Sequence, residues 1–305
     1  MDLILTALEL GLMSSLTVLA LFLSYSMLGV CDLSTDGCFT FGAAVGAVVA
    51  LSGHPFLAIL AAMGAGALSG FVTAFLQTKM GVDSLLSGIV VNTGLYSINI
   101  AVMGNSSLLN MNKTETIFTK AKALLGGSFL GPQYKLVVIV LFAALVVLFL
   151  AFFLKTRIGL AIRATGDNPD MVRSSSINPV KTTIIGLCIS NSFTALSGCL
   201  LAQYQKSVNV NIGSGMLTIA LASLLIGNTF IGRRRPISLR LVGAVLGAFI
   251  FRLVYTAALR LNMPAFMLKL VSSVIVVIAI SGPYLQQRFP LLMRKLGKKG
   301  RTRNA

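Results

Sequence analysis

The chain has 305 residues, 56% of them hydrophobic and only 11% charged, against roughly 25% charged in soluble domains, and its mean hydropathy is +0.89. A soluble enzyme is excluded, because apolar runs recur along almost the whole length and leave no stretch that could build a separate water-facing core. The net charge of +17, from 25 Lys and Arg against 8 Asp and Glu, argues against nucleic acid by its placement: the bases sit in short blocks between apolar runs and in a tail, Lys298-Lys299-Gly300-Arg301-Thr302-Arg303, where they meet anionic lipid headgroups.

A helix that crosses a hydrocarbon core of about 30 Å needs about 20 apolar residues. The opening, Met1-Asp2-Leu3, has neither the basic region nor the cleavage site of a secretory signal, so a retained first span is read over 3–24. The next apolar stretch, near residues 25–51, is interrupted by Asp32-Leu33-Ser34-Thr35-Asp36-Gly37. Its second part, Cys38 to Leu51, is too short to cross alone at about 1.5 Å per residue. Irregular backbone at membrane depth is tolerated only where it is buried in protein or lines a cavity. Asp32 and Ser34 are therefore candidates for a translocation path, and Phe39 and Phe41, just past the break, are candidate gate aromatics. His54, the only histidine, falls in a Gly53-His54-Pro55 turn and predicts no metal site.

Further spans are expected over 56–77 and 84–104. In the second of these Asn92, Tyr96 and Asn99 recur at i, i+4 and i+7 and share one helical face. A polar stripe in lipid must face protein or water, so these residues either bond to a neighbouring helix or line the path; the polar break nearby favours the path. The polar segment from Asn105 to Tyr134 is expected as a loop with a short amphipathic helix near 116–125.

After a span over 135–154 comes a long polar segment, Lys155 to Lys181. Gly166-Asp167-Asn168-Pro169 places a capping residue before a proline, and Asn178-Pro179 closes the stretch, which predicts a short surface helix from Pro169 to Ile177. It is either a solvated loop helix or a docking element. Spans over 182–203, 215–231, 241–260 and 265–284 complete the chain. Arg252 and Lys269 fall inside the last two, where an unpaired charge costs about 2.5 kcal/mol or more; each either snorkels or meets backbone carbonyls, or Arg252 faces the path and attracts a carboxylate. Cys31, Cys38, Cys188 and Cys199 show no CxxC spacing and read as buried thiols.

The fold class expected is thus all-α: a polytopic transmembrane helix bundle over 1–286, with about nine crossings and one broken segment, followed by a basic tail at 287–305. Nine crossings put the termini on opposite sides, and the basic blocks decide which is inside. The tail, Lys155, Arg157, Arg163, Arg173, Lys181, Arg233, Arg234, Arg235 and Arg240 go to the cytoplasm; Asp2, Glu9 and the loop from Asn105 to Tyr134 lie outside. Phosphate loops, H-E-x-x-H, G-x-S-x-G and GxGxxG signatures are absent, so energy for active transport would come from another subunit.

Three stretches of the chain resemble those of a known family. Gly159-Leu160-Ala161-Ile162-Arg163-Ala164-Thr165-Gly166-Asp167-Asn168, followed by Ile177-Asn178, is similar to the cytoplasmic coupling segment of the ABC-importer permeases that serve ribose and branched-chain amino acids. Asp32-Leu33-Ser34 and Leu225-Ile226-Gly227-Asn228-Thr229-Phe230-Ile231-Gly232 resemble two further stretches of those permeases, and the general layout resembles a branch associated with aromatic amino acids. The resemblance covers about residues 25–285.

It implies a transport subunit and not an enzyme. The chain would hold no cofactor of its own, with ATP and Mg bound by partner ATPase subunits docked at Gly166, Asp167, Asn168, Pro169, Asp170 and Arg173. Its other partners would be a second permease copy in a homodimer and an extracytoplasmic binding protein or lipoprotein. The solute would be small and polar, an aromatic or branched-chain amino acid or a sugar, and the location the cell inner membrane. The alternative is a self-sufficient secondary transporter or channel, in which broken helices are also expected; only Glu9, Asp32, Asp36 and Asp83 lie near spans to couple an ion.

Overall fold

In hydrocarbon every backbone N–H must pair within its own segment or a closed sheet, so apolar runs with few charges fold as helices. The computed structural model describes residues 2–125, 133–232, 235–260, 267, 270–277 and 281. Helix α1 (Asp2–Leu21) runs on through a π-helical turn, Phe22–Met27. It is followed by α2 (Thr35–Leu51), α3 (Pro55–Thr78), α4 (Ser84–Val102), α5 (Ile117–Leu125), α6 (Tyr134–Phe153), α7 (Arg157–Asp167), α8 (Pro169–Ser174), α9 (Pro179–Gln205), α10 (Met216–Ile231) and α11 (Ile237–Arg260).

Among the described residues six helices are long and apolar enough to cross a membrane: Ile4–Met27, Pro55–Thr78, Ser84–Val102, Tyr134–Phe153, Pro179–Gln205 and Ile237–Ala258. The all-α polytopic bundle is therefore what the chain forms, with two shorter apolar helices, Thr35–Leu51 and Met216–Ile231, inside it. Half of the span expected over 265–284, Lys269 with it, lies outside the described residues, as do Arg233, Arg234 and the basic tail.

Several boundaries differ from expectation for local reasons. The first span continues to Met27 rather than ending at 24. Asn178 opens the next membrane helix instead of closing the short one: its side chain accepts from the Val180 N–H at 2.9 Å, and α9 begins at Pro179, not 182. Helix α8 stops at Ser174 rather than Ile177, and Ser176 takes a left-handed φ of 60° just beyond. An unexpected helix, α7, precedes it, started by Thr156, whose hydroxyl accepts from the Gly159 N–H at 3.3 Å. A small antiparallel ribbon also joins β1 (Leu108–Asn110) to β2 (Ser207–Asn209), with Leu109 opposite Val208.

Helix α9 is the axis of the bundle and packs against α1, α2 and α3. Small residues make the close approach possible, as is usual between membrane helices. A Cβ on Gly42 would run into the Ala195 carbonyl, and one on Gly198 into the Phe39 carbonyl, so α2 and α9 touch backbone to backbone. At the far end of α9, Gln203 donates to the Pro55 carbonyl at 3.3 Å and accepts from the Ile117 N–H at 3.0 Å, tying the starts of α3 and α5 together.

Candidate functional site

The break before α2 is anchored by a buried carboxylate. Asp32 Oδ1 accepts from the Ser34 N–H at 2.8 Å and Oδ2 from the Asn191 amide at 2.9 Å. Thr35 Oγ1 donates to the Asp32 carbonyl at 2.8 Å, and the Ser34 hydroxyl accepts from Asn191 and Thr73, each at 3.4 Å. Asp32 is 2% exposed and Ser34 0%. Asn191 is the thirteenth residue of the 27-residue α9, about 18 Å along it, so α2 begins near the middle of a membrane helix.

One turn further on, Asp36 reaches a second helix start. Its Oδ2 accepts from the Gly215 N–H at 2.9 Å and its Oδ1 from the Leu217 N–H at 2.7 Å, capping α10 from another element. Thr40 Oγ1 accepts from the Gly213 N–H at 3.2 Å and donates to the Asp36 carbonyl at 3.1 Å. The N-termini of α2 and α10 thus converge on one carboxylate, where both helix dipoles favour negative charge.

Beside this junction lies a cleft of about 420 Å³. Helix α2 lines it with Asp36, Gly37 and Thr40, α4 with Asn92, Thr93, Tyr96, Ser97 and Asn99, and the segment between β2 and α10 with Val210, Asn211 and Ser214. Asn99, 1% exposed, donates through Nδ2 to the Gly37 carbonyl at 3.3 Å. A Cβ on Gly37 would come within 2.6 Å of Asn92 Oδ1, so only glycine lets the two helices approach here. Tyr96 is 50% exposed.

The expected path residues divide. Asn92, Tyr96 and Asn99 come together along one wall of the cleft. Asp32 and Ser34 do not join them, because the network with Asn191 holds them in the packed interior. Phe39 is fully buried and borders a small space with Met13, Ser197, Met216 and Arg252. Phe41 packs against the cluster of Cys38, Val91, Leu95 and Ala195. Arg252 stays away from the cleft, its guanidinium 5.2 Å from the Tyr255 ring centre. The cleft also recruits Asp36, Thr40, Thr93, Ser97, Asn211 and Ser214, none of them among the path residues expected from the sequence. Thr93 and Ser97 flank the stripe on the same helix and were legible as its width, whereas Asn211 and Ser214 are brought in by the chain reversal after β2.

The cytoplasm-assigned segment forms a separate feature. Asn168 Oδ1 accepts from the Asp170 and Met171 N–H groups, both at 3.1 Å, which makes it the cap of α8. Asp167, Asn168, Pro169 and Asp170 are exposed, Met171 is 66% exposed, and Arg173 meets Asp170 at 3.3 Å. Gly166 faces inward instead, because a Cβ there would strike the Met27 carbonyl at the end of the π-helical turn. Thr165 and Thr182 share a hydrogen bond of 2.8 Å, fastening α7 to α9.

Residues 3–280 match the family model described as branched-chain amino acid transport system / permease component. The chain is 34% identical over 268 residues to the tyrosine transport system permease protein of Clostridioides difficile (strain R20291), covering 88% of this chain and 86% of that protein. It is 26% identical over 240 residues to the ribose import permease protein RbsC of Escherichia coli (strain K12), covering 78% and 72%. Similarity to the guanosine ABC transporter permease protein NupQ of Bacillus subtilis (strain 168) is 27% over 220 residues, covering 65% and 67%. No solved structure matches the chain at a significant level.

Proposed function

The chain belongs to the branched-chain amino acid transport system permease family, as a membrane permease subunit of an ABC importer, and on that premise we propose that the cleft at Asp36 is part of its translocation path. The observation that carries the reading is the meeting of two helix starts, α2 and α10, beside a polar cleft halfway along α9. Transport proteins hold solutes at such interrupted helices, because broken backbone at membrane depth needs a water-lined cavity.

The path is closed by a second copy of the chain. Helix α4 packs mainly against α2 and α3, yet Thr93, Tyr96 and Ser97 are exposed on it. A polar face on an edge helix needs a protein or water neighbour. The exposed knob of α8 docks an ATPase subunit that binds ATP and Mg, while an extracytoplasmic binding protein delivers the solute. Because Gly166 of α7 rests on Met27, movement of the docked segment reaches the break before α2 directly.

The solute is an amino acid, aromatic or branched-chain. The tyrosine permease has the highest identity of the three relatives and covers the most of this chain. The chain crosses the inner membrane about nine times, with the segment 155–181 and the tail 287–305 inside and the N-terminus and the loop 105–134 outside. In a background without native cysteines, Tyr96→Cys and Ser97→Cys should react with small water-soluble thiol reagents at rates that change with the nucleotide state of the ATPase. Ile98→Cys, on the opposite, apolar side of the same helix beside Val72 and Leu76, should not. Equal reactivity at 98 and 97 in every state would remove the path from this cleft.

A further inference from the structure

We propose that the cleft recognises its solute by an ammonium group, taken by the Asp36 carboxylate with the Asn99 amide oxygen beside it. The inference rests on the path reading above and concerns what chemistry the path accepts.

Charge in the cleft is of one sign. Asp36 is the one charged side chain among the described residues that line it; the other polar side chains are neutral amides and hydroxyls, and neither Lys nor Arg is among them. Helix N-termini elsewhere serve as anion sites, but at α10 that place is taken. The Gly215 and Leu217 N–H groups both bond Asp36, and the Met216 N–H bonds the Gly213 carbonyl. A solute carboxylate placed there would find those three donors taken and would face a second carboxylate.

The hydrogen bonds point the same way. Thr40 has its hydroxyl proton committed to the Asp36 carbonyl. The Gly37 carbonyl can only accept, so the Asn99 group facing it is the NH₂, which fixes the amide orientation. Asn99 Oδ1 is then a buried acceptor without a partner among the described residues. Each Asp36 oxygen uses one lone pair on α10 and keeps another. The floor of the cleft therefore offers acceptors and negative charge, and its complement is a donor-rich cation. A primary ammonium brings three N–H donors and a positive charge; a polyol brings donors without charge. The exposed Tyr96 ring on the same wall adds a face on which a cation is favoured.

The test uses the full-length chain in lipid nanodiscs with Cys31, Cys38, Cys188 and Cys199 replaced and Ser97→Cys introduced. Labelling by neutral N-ethylmaleimide is followed with three protectants of one skeleton: 2-phenylethylamine, 2-phenylethanol and 3-phenylpropanoate. The amine should halve the rate at a concentration at least tenfold below that needed for the alcohol, and the carboxylate should not protect. Asp36→Asn should erase that tenfold gap. Asn99→Leu, which leaves the α10 cap in place, should weaken protection by the amine severalfold and so carries the test if the Asp36 variant does not fold. Equal protection by amine and alcohol, better protection by the carboxylate, or an unchanged gap in both variants would overturn the ammonium site while leaving the cleft as the path. A cysteine at 97 that no reagent reaches would overturn the path itself.

Discussion

Asp32 and Asp36 lie one helical turn apart at the same interrupted segment, and the structure gives them opposite surroundings. Asp32 is enclosed, with one oxygen on the Ser34 N–H and the other on Asn191, inside a network that also holds Thr73. Asp36 caps α10 and opens onto a cleft of about 420 Å³. The Asn partners divide in the same way: Asn191 is consumed by the Asp32 network, whereas Asn99 keeps an unpaired oxygen beside the cleft. At membrane depth the function of a polar side chain follows from whether its neighbours exhaust its hydrogen-bonding capacity. A satisfied group fastens helices, and an unsatisfied one waits for a guest.

The contrast would break most visibly at Asp32. Asp32→Ala leaves the Ser34 N–H buried without its acceptor and the Asn191 amide with only the Ser34 hydroxyl at 3.4 Å, and should cost about 3 kcal/mol of stability, since each hydrogen bond to a charged group is worth about 1.5–3 kcal/mol. Loss of monodisperse protein on size exclusion, or a large fall in melting temperature, is the expected result; a variant as stable as the parent would reclassify Asp32 as a path residue.

A pair of asparagine substitutions sharpens the comparison. Asn191→Leu strands a carboxylate oxygen and should destabilise by about 2 kcal/mol. Asn99→Leu removes an acceptor that was already unpaired and one neutral hydrogen bond, to the Gly37 carbonyl, so thermal melting should move by no more than about 1 kcal/mol while solute uptake falls. If the two variants melt alike, the division between fastener and guest site is wrong.

Asp36→Ala should be milder than Asp32→Ala in melting but more severe in uptake. The cap it removes is worth about 1–2 kcal/mol, and the charge it removes is the cleft's own. The smallest effect belongs to the exposed counterpart, Asn168, whose cap on α8 contributes about 0.5–2 kcal/mol to a six-residue helix that can loosen alone. Asn168→Ala should leave melting nearly unchanged and lower the coupling between ATP hydrolysis and uptake. Replacing residues 167–176 by Gly and Ser should abolish that coupling, with the bundle still folded.

Much of the architecture is legible in the order of residues alone. Asn92, Tyr96 and Asn99 share a face because helical periodicity is a local property, and they do line one wall of the cleft. Asn168-Pro169 announces a helix start, and the start is there. The break near Asp32 is legible too, since polar residues interrupt an apolar run. Its contents are harder: Phe39 and Phe41 look like gate aromatics by position, and the structure places one wholly enclosed and the other half-buried against a core cluster. No neighbour in the chain of either reveals that Ala195 and Met216 stand opposite.

What the sequence determined by itself was the class of solvent, the helical state of each apolar run, and the faces along which polar residues line up, because each follows from the composition and period of one short segment. Tertiary structure alone decided which of two neighbouring aspartates faces the cleft. That choice turns on partners 159 and 179 residues away, Asn191 for Asp32 and Gly215 for Asp36, and they arrive only when α9 and the start of α10 close around the break. A hydrogen bond extends about 3 Å, whereas the chain between its ends runs through several membrane helices, so no local pattern could carry the distinction.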